Sequence, residues 1–311
     1  MTRTVFLDGA SGATGVALES LLRGRDDLEV LRLGADERRD DDARRRLLAR
    51  SELAVLCLPD AAARSVSVLA REAGVRVIDA STAHRVDGEW VYGFPEMCSG
   101  QRERIRGAAC VSNPGCYATG GVSLLRPLSE AGLLAEGWTP IFQAVSGYSG
   151  GGRDLIRAFE GDGGEHSGTN FYFYGVGLRH KHLPEVFEHG GHVKAPMILP
   201  SVGRFRRGML VALPLPVDAW GGGVVSVSGL EDVFRAHYGG EVFVEVVVGE
   251  GSERLDPEVL NGTNVLRIHI FGGGEARLLV ACLDNLGKGA SGAALQNMNL
   301  MLGCPETLGL I

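Results

Sequence analysis

The sequence predicts an α/β protein: a doubly wound parallel sheet with helices on both faces, into which an α+β domain with a mixed sheet is inserted. Three observations carry this. Over the first third of the chain, short Val/Ile/Leu-rich runs closed by turn residues alternate with helical segments. A glycine-spaced turn, Gly9-Ala10-Ser11-Gly12-Ala13-Thr14-Gly15, joins the first run to the first helical segment. Beyond about residue 116 the helices thin out and strand-like runs follow one another, as in an α+β domain.

The runs TVFLDGA (4–10), LEVLRLG (28–34), LAVLCLP (53–59), VRVIDAS (75–81) and AACVSN (108–113) read as buried strands. Between the first four, GVALESLLRG, DDARRRLLARS and AAARSVSVLAREAG place apolar residues at helical spacing. Strands buried on both faces and joined by helical crossovers pair in parallel. A helix over roughly 116–131 then precedes PIFQAVSG, FYFYGVG, GMLVALPLP, EVFVEVVV, VLRIHIF and ARLLVACLD, and KGASGAALQNMNLMLG reads as a closing helix. The expected domains are residues 1–115, joined by a C-terminal helix over 286–311, and residues 116–285.

Length and composition suit two ordinary cores: 311 residues, 45% hydrophobic and 22% charged. With 38 acidic against 31 basic residues the net charge is -7, which argues against a function built on neutralising nucleic-acid phosphates. No run approaches the ~18 apolar residues of a membrane span. MTRTVFLDGA enters a strand directly, without the pattern of a secretory leader, so the expected location is cytoplasmic. The mixed run from Asp36 to Arg46 reads as a solvated loop and helix face. Cysteines at 57, 98, 110, 116, 282 and 304 form no C-x-x-C pair and no metal-ligand spacing, so no metal is expected. Cys57 and Cys282 lie inside apolar runs and read as inert thiols.

The turn after the first strand has the chemistry of a dinucleotide site. Glycines let backbone approach a pyrophosphate, and amides at the following helix N-terminus hold it. Gly9, Ser11, Gly12, Ala13, Thr14 and Gly15 are therefore expected to contact a cofactor in a Rossmann-like domain. No acid closes the second strand, Val30-Leu31-Arg32-Leu33-Gly34, although Asp36 follows. Arg32, with Arg38 and Arg39 nearby, suits a ribose 2'-phosphate, which favours NADP over NAD.

Asn113-Pro114-Gly115 follows the fifth strand, and Cys116 opens the next helix. A thiol of reference pKa ~8.5 is mostly protonated at neutral pH, and a helix N-terminus favours its anion. Asn113 could direct an amide N–H at a developing oxyanion. A proton shuttle is available in Arg179-His180-Lys181-His182-Leu183-Pro184-Glu185; a metal held by its two histidines would lack a third ligand. His166, His189, His192 and His237 read as surface residues. The stretch Ser146 to Arg153, SGYSGGGR, offers consecutive amides, two hydroxyls and an arginine as a nest for phosphate or carboxylate. Asp284 to Ala290 links the last strand to the last helix, as an N-cap turn that can also touch a cofactor.

DGASGATG, DASTAHRV, YGFPE, SNPGCYATG, AVSGYSGGG, RHKHLPE, VGRFRRGML and DNLGKGASGAALQNMN occur in this order along essentially the whole chain. In this the sequence resembles the short, second type of N-acetyl-gamma-glutamyl-phosphate reductase. The resemblance implies a Rossmann-like domain with an inserted substrate and dimerisation domain. It also implies NADPH-dependent reduction of N-acetyl-glutamyl phosphate to the semialdehyde, in arginine biosynthesis. Cys116 would attack the acyl phosphate to give a thioester, and hydride transfer would give a thiohemiacetal that collapses to the aldehyde. The family motif HRHxPE maps onto His180 to Glu185, making His180 the acid/base between Tyr174 and Glu185, with His182 the second choice. Asn113, Ser146, Gly147, Ser149, Gly150, Arg153, Tyr174, His182 and Glu185 fall on the substrate side. Ser81, Asn285, Lys288 and Gly289 join Arg32 and the glycine turn on the cofactor side. Cys116, His180 and the nicotinamide are expected to meet in one cleft.

Lys181 and Arg153 depart from the family's usual arginine and lysine, changes that bear on oxyanion binding because the two cations are not equivalent. The family also implies a homodimer or tetramer. Aspartate-semialdehyde dehydrogenase shares the Cys–His logic but usually lacks H-x-H-x-P-E and SGYSGGG. A reductase of carrier-bound aminoadipyl phosphate would call for a basic docking surface, and a non-catalytic NADP sensor needs neither nucleophile nor shuttle.

Overall fold

The computed structural model describes residues 2–161, 164–249 and 254–310; Met1 and Ile311, the outer ends of the expected first domain, lie outside the described residues. The backbone divides into two compact units. Met1–Pro95, Ser99–Pro114 and Ala290–Ile311 make the first, and Glu96–Cys98 with Gly115–Gly289 the second.

The first unit holds β1 (Arg3–Asp8), β2 (Leu28–Leu31), β3 (Leu53–Leu56), β4 (Arg76–Asp79), β5 (Val91–Tyr92) and β6 (Cys110–Ser112). They form one sheet, ordered β2-β1-β3-β4-β6-β5, with every pairing parallel. Helices α1 (Ala13–Leu22), α2 (Asp41–Leu48), α3 (Asp60–Glu72) and α4 (Gln101–Gly107) connect them. Successive side chains of a strand point to opposite faces, and the sorting here is clean. Val5, Leu7, Leu53, Val55, Ile78 and Val111 face a core shared with Leu18 and Leu22 of α1 and Ile105 of α4. Phe6, Ala54, Leu56, Val77 and Cys110 face a second core with Leu48 of α2 and Val66 and Ala70 of α3. Both faces are covered, as an all-parallel sheet requires.

The second unit begins with α5 (Cys116–Glu130) and adds α6 (Gly152–Glu160), α7 (Leu183–Gly190) and α8 (Val227–Tyr238). Its sheet contains β7 (Ile141–Gly147), β8 (Phe171–Phe173), β9 (Met197–Gly203), β10 (Met209–Leu215), β11 (Val244–Val248), β12 (Leu266–Gly273) and β13 (Ala276–Leu283). The order is β11-β12-β13-β10-β7-β9-β8, mixed because β11–β12 and β7–β9 pair in parallel and the others antiparallel. α5 lies hard against β10: a Cβ at Gly120 would stand 2.7 Å from Val211 Cγ2. The small residues after Cys116 thus let the helix approach the sheet. The last helix, α9 (Gly292–Leu302), returns to the first unit, where Leu295 and Met298 complete the core beneath α1 and α4.

Four details differ from the sequence reading. β9 was not expected, because Pro200 interrupts an otherwise strand-like run; the strand tolerates it, and Pro200 C=O accepts the Tyr174 N–H at 3.1 Å. FYFYGVG forms only three residues of strand. The Asp36–Arg46 run is not wholly solvated: Arg44 is buried and donates from Nε to Asp8 Oδ2 at 2.9 Å, beside the glycine turn. His192 and His237 are not surface residues: His192 Nε2 lies 2.9 Å from Trp138 O, and His237 Nε2 lies 3.1 Å from Met97 O. Among the described residues no helix is long and apolar enough to cross a membrane.

Candidate active site

Cys116 is half-buried at the first position of α5. Gly115, the N-cap, has no polar side chain to satisfy the helix's open N–H groups. That role passes to α7. Pro184 lies in the first turn of that helix, and the Glu185 carboxylate, almost wholly buried, accepts the Gly115 N–H at 2.9 Å. Glu185 thus holds the residue immediately before the cysteine.

His180 and His182 are both buried, with ring centroids 4.8 Å apart. Burial, aided by the Lys181 charge, lowers the His180 pKa to about 4, so its imidazole is neutral across physiological pH. The His182 backbone N–H donates to His180 Nδ1 at 3.2 Å, which assigns the ring proton to Nε2. Nε2 lies 3.2 Å from Tyr174 Oη. Tyr174 continues the chain of hydroxyls through Tyr117 to Ser146. Tyr117 also donates to Ser201 O at 3.1 Å, and its ring stands edge-on to His180, 5.1 Å between centroids. Burial pushes both phenols well above their ordinary values, and a thiolate at Cys116 raises them further. A charge at Cys116 therefore acts on Tyr117 and Tyr174, and Tyr174 is the hydroxyl beside His180. Cys282, by contrast, is raised to about 11 by burial, and Cys57 to about 12 by burial with Asp79 and Asp8 near it. Both stay protonated thiols.

In the loop from Ser146, the first three of the consecutive amides expected to nest an anion are already bonded within the protein. Gly147 N–H donates to Gly208 O at 2.9 Å, Tyr148 N–H to Phe205 O at 3.0 Å and Ser149 N–H to Arg206 O at 3.1 Å. Those donors extend the β7–β10 pairing instead. Ser146 Oγ donates to Gly147 O, Gly150 follows in a short 3-10 turn, and Arg153 is exposed on the first turn of α6. Asn285 locks this loop to the Asp284–Ala290 turn: its Oδ1 accepts Gly208 N–H at 2.8 Å and its Nδ2 donates to Ser149 Oγ at 2.9 Å.

Lys288 was expected on the cofactor. Its side chain is instead buried, with Nζ 2.7 Å from Glu96 Oε1 and 5.6 Å from the Phe243 ring centroid. Gly289 has a local reason to be glycine: a Cβ there would stand 2.8 Å from Cys116 Cβ.

In the first unit the glycine turn is a cradle that added side chains would close. Gly9 has φ +86°, and a Cβ on it would meet Cys57 O at 2.3 Å; one on Gly15 would meet Gly9 O at 2.3 Å. Gly12 N–H closes the turn on Gly9 O at 3.0 Å. Ser11 precedes Gly12, the N-cap of α1, which has no side chain of its own to cap the helix, and Ala13 and Thr14 form the first turn. A glycine cradle opening into an uncapped helix N-terminus fits a dinucleotide pyrophosphate. Arg32, partly exposed, pairs with Glu19 at 2.9 Å. Ser81 Oγ donates to Asp79 Oδ2 at 2.7 Å, and His84 Nδ1 lies 2.7 Å from the same oxygen while its ring stacks on Trp90. The sequence reading named Ser81 for the cofactor side, but not Asp79 and His84, its buried partners in the DASTAHRV stretch. Asn113 Nδ2 donates to Ala290 O at 3.0 Å and its Oδ1 accepts from Asn297 at 3.1 Å. Among the described residues no group of three His, Cys, Asp or Glu side chains is placed to hold a metal ion.

Two family profiles match the chain: semialdehyde dehydrogenase, NAD binding domain, over residues 4–108, and semialdehyde dehydrogenase, dimerisation domain, over residues 116–285. An N-acetyl-gamma-glutamyl-phosphate reductase of Allorhizobium ampelinum is 47% identical over 309 residues, 97% of this chain and 99% of that protein. An N-acetyl-gamma-glutamyl-phosphate reductase 2 of Nostoc sp. is 44% identical, covering 98% of each chain. Among solved structures, aspartate semialdehyde dehydrogenase II of Vibrio cholerae, complexed with ASA, superposes with a TM-score of 0.72 at 17% identity, covering 97% of this chain and 99% of that one. The Candida albicans aspartate semialdehyde dehydrogenase, solved with NADP, gives 0.67 at 13% identity, covering 99% and 100%. At these identities the two structures speak for the fold.

Proposed function

This chain belongs to the N-acetyl-gamma-glutamyl-phosphate reductase family of semialdehyde dehydrogenases, and from that we infer that it reduces N-acetyl-L-glutamyl 5-phosphate to N-acetyl-L-glutamate 5-semialdehyde and phosphate, with NADPH, in arginine biosynthesis. The observation that carries the mechanism is a half-buried cysteine at a helix N-terminus that acts on Tyr174, the hydroxyl partner of a buried, neutral histidine.

Cys116 Sγ attacks the acyl carbon; the carbon–oxygen bond to phosphate breaks and a thioester remains. NADPH, when bound, would supply the hydride for reduction of that thioester. The turn Gly9–Gly15 and the α1 N-terminus would hold the cofactor's pyrophosphate, and Arg32 would meet its 2'-phosphate. His180, neutral with its hydrogen on Nε2, donates a hydrogen bond to the developing oxyanion, which collapses to the aldehyde as the Cys116 thiolate leaves. Glu185 fixes the approach of the chain to Cys116, and Ser146, Ser149, Arg153 and His182 line the substrate side. Residues 1–115 with the closing helix act as the dinucleotide-binding domain and 116–285 as the substrate and dimerisation domain. The working form is a homodimer or tetramer in the cytoplasm, acting on a small acyl phosphate.

The test is the reverse reaction. N-acetyl-glutamate semialdehyde, phosphate and NADP+ are mixed with the wild type and with Cys116→Ala, and reduced nicotinamide is followed by absorbance. Phosphate-dependent reduction by the wild type, lost in the variant, is expected. Activity on aspartate semialdehyde alone, or none on either aldehyde, would overturn the assignment; full activity of Cys116→Ala would remove the nucleophile.

A further inference from the structure

The turn Gly287–Ser291 is π-helical, a rare backbone form that recurs at functional sites. At its centre the Gly289 backbone is pressed against the cysteine: a Cβ there would lie 2.8 Å from Cys116 Cβ, 3.4 Å from Cys116 Cα and 3.2 Å from Asp284 O. We propose that this turn is the seat of the nucleophile and that Gly289 is a positioning residue for Cys116, acting through contact with its Cβ. The proposal rests on Cys116 being the nucleophile, and it gives the DNLGKGAS motif a role in shaping the thiol site instead of, or besides, touching the cofactor.

Neither side of the contact can withdraw. Gly289 N–H donates to Asp284 O at 2.9 Å. Asp284 is itself fixed, its carboxylate accepting Leu286 N–H at 2.9 Å, Gly262 N–H at 2.7 Å and the Arg207 guanidinium. Gly287 is backed onto the chain behind it, where a Cβ would stand 2.2 Å from Thr263 O. Lys288 is tethered to Glu96 in the interior, and Asn285 is bonded at both ends of its amide. On the opposing side Gly115 is held by Glu185, and one turn along Gly120 already touches Val211. A methyl group added at residue 289 therefore meets an atom one bond from the backbone, with rigid structure behind both partners. The response left is a shift of Cys116 Cβ, which swings the sulfur. A misplacement of about 1 Å at a reacting atom can cost about 100-fold in rate.

The experiment compares wild type with Gly289→Ala by three readouts: kcat and KM for NADPH, the pH-dependent rate of Cys116 alkylation by iodoacetamide read by mass spectrometry, and Tm. The expected result is a kcat lower by roughly 30-fold, a KM for NADPH within about twofold of wild type, and a Cys116 alkylation rate altered by roughly fivefold or more. Unchanged kcat and alkylation would overturn the proposal, as would a raised KM for NADPH at constant kcat, the mark of a cofactor contact alone. Should Gly289→Ala unfold, a double-variant cycle decides: in a Cys116→Gly background, lacking the facing Cβ, the Tm loss caused by Gly289→Ala should shrink by about half or more. An equal loss in both backgrounds sinks the idea. Alkylation and the Tm cycle need no turnover, so they test this contact even if Cys116→Ala proves active and the nucleophile assignment fails.

Discussion

Gly9–Gly15 carries β1 into α1, and Asn113–Gly115 carries β6 into α5; both are strand–turn–helix joints closed at a glycine N-cap. At the first, the Gly12 N-cap brings no side chain of its own, and the turn is shaped by close approaches of backbone to backbone. At the second, the Glu185 carboxylate already sits on the Gly115 N–H. A helix N-terminus left without a cap invites an external anion, whereas one holding an internal carboxylate has spent part of that attraction. The first joint is thus suited to a pyrophosphate. The second holds a thiol in place, and its dipole's help to the thiolate is opposed by the Glu185 charge.

The comparison can be broken most severely at Gly9. Gly9→Ala drives a Cβ to 2.3 Å from Cys57 O at a positive φ, and the expected loss is about 3 kcal/mol or more of unfolding free energy in urea titration. A loss under about 1 kcal/mol would mean the turn is slack. Next comes pH. His180 is lowered to about 4, so the folded protein binds its proton later than the unfolded chain does. Its contribution to stability is complete above ~6.5 and erodes as pH falls towards 4. Proton NMR of the His180 ring should show no titration between pH 8 and 5, and the acid limb of kcat/KM from this group should fall below pH 5. A His180 midpoint near the ordinary value would contradict its burial. Arg32→Ala should raise the Kd for NADPH roughly tenfold with little change for NADH, as expected of a charged contact to the 2'-phosphate. Equal weakening of both cofactors would leave Arg32 as the partner of Glu19 only. The smallest effect is expected from Glu185→Gln, which keeps an acceptor for Gly115 but removes charge: alkylation of Cys116 at neutral pH should quicken about threefold. A slower reaction would show that Glu185 assists the thiolate by geometry more than its charge opposes it.

Much of the fold was readable because its signals are local. The apolar alternation of Val5, Phe6 and Leu7, sorted to opposite faces of the sheet, is a short-range pattern. So is the glycine turn, and so is a cysteine placed directly after Pro114 and Gly115. What the sequence hid depends on partners distant in the chain. The amides of Gly147 to Ser149 resemble a nest until residues 205–208 are seen to accept them. Lys288 looks like a cofactor contact until Glu96 is found beside it. Arg44 looks solvated within a charged run, yet Asp8 draws it inward. β9 escaped notice because Pro200 breaks the local pattern while the neighbouring strands still accommodate it.

The place of α9 has a consequence for how the protein comes into being. Its side chains belong to the same core as Val5, Leu7, Val55 and Ile78, which are synthesised long before them. While the chain emerges from a ribosome, that face of the parallel sheet is covered only by α1 and α4 until residues 292–302 are made. The second unit, drawn almost wholly from one continuous stretch, can close earlier. The nascent first unit is then the more exposed to chaperones and to aggregation, and a premature stop before α9 would strand it half-covered.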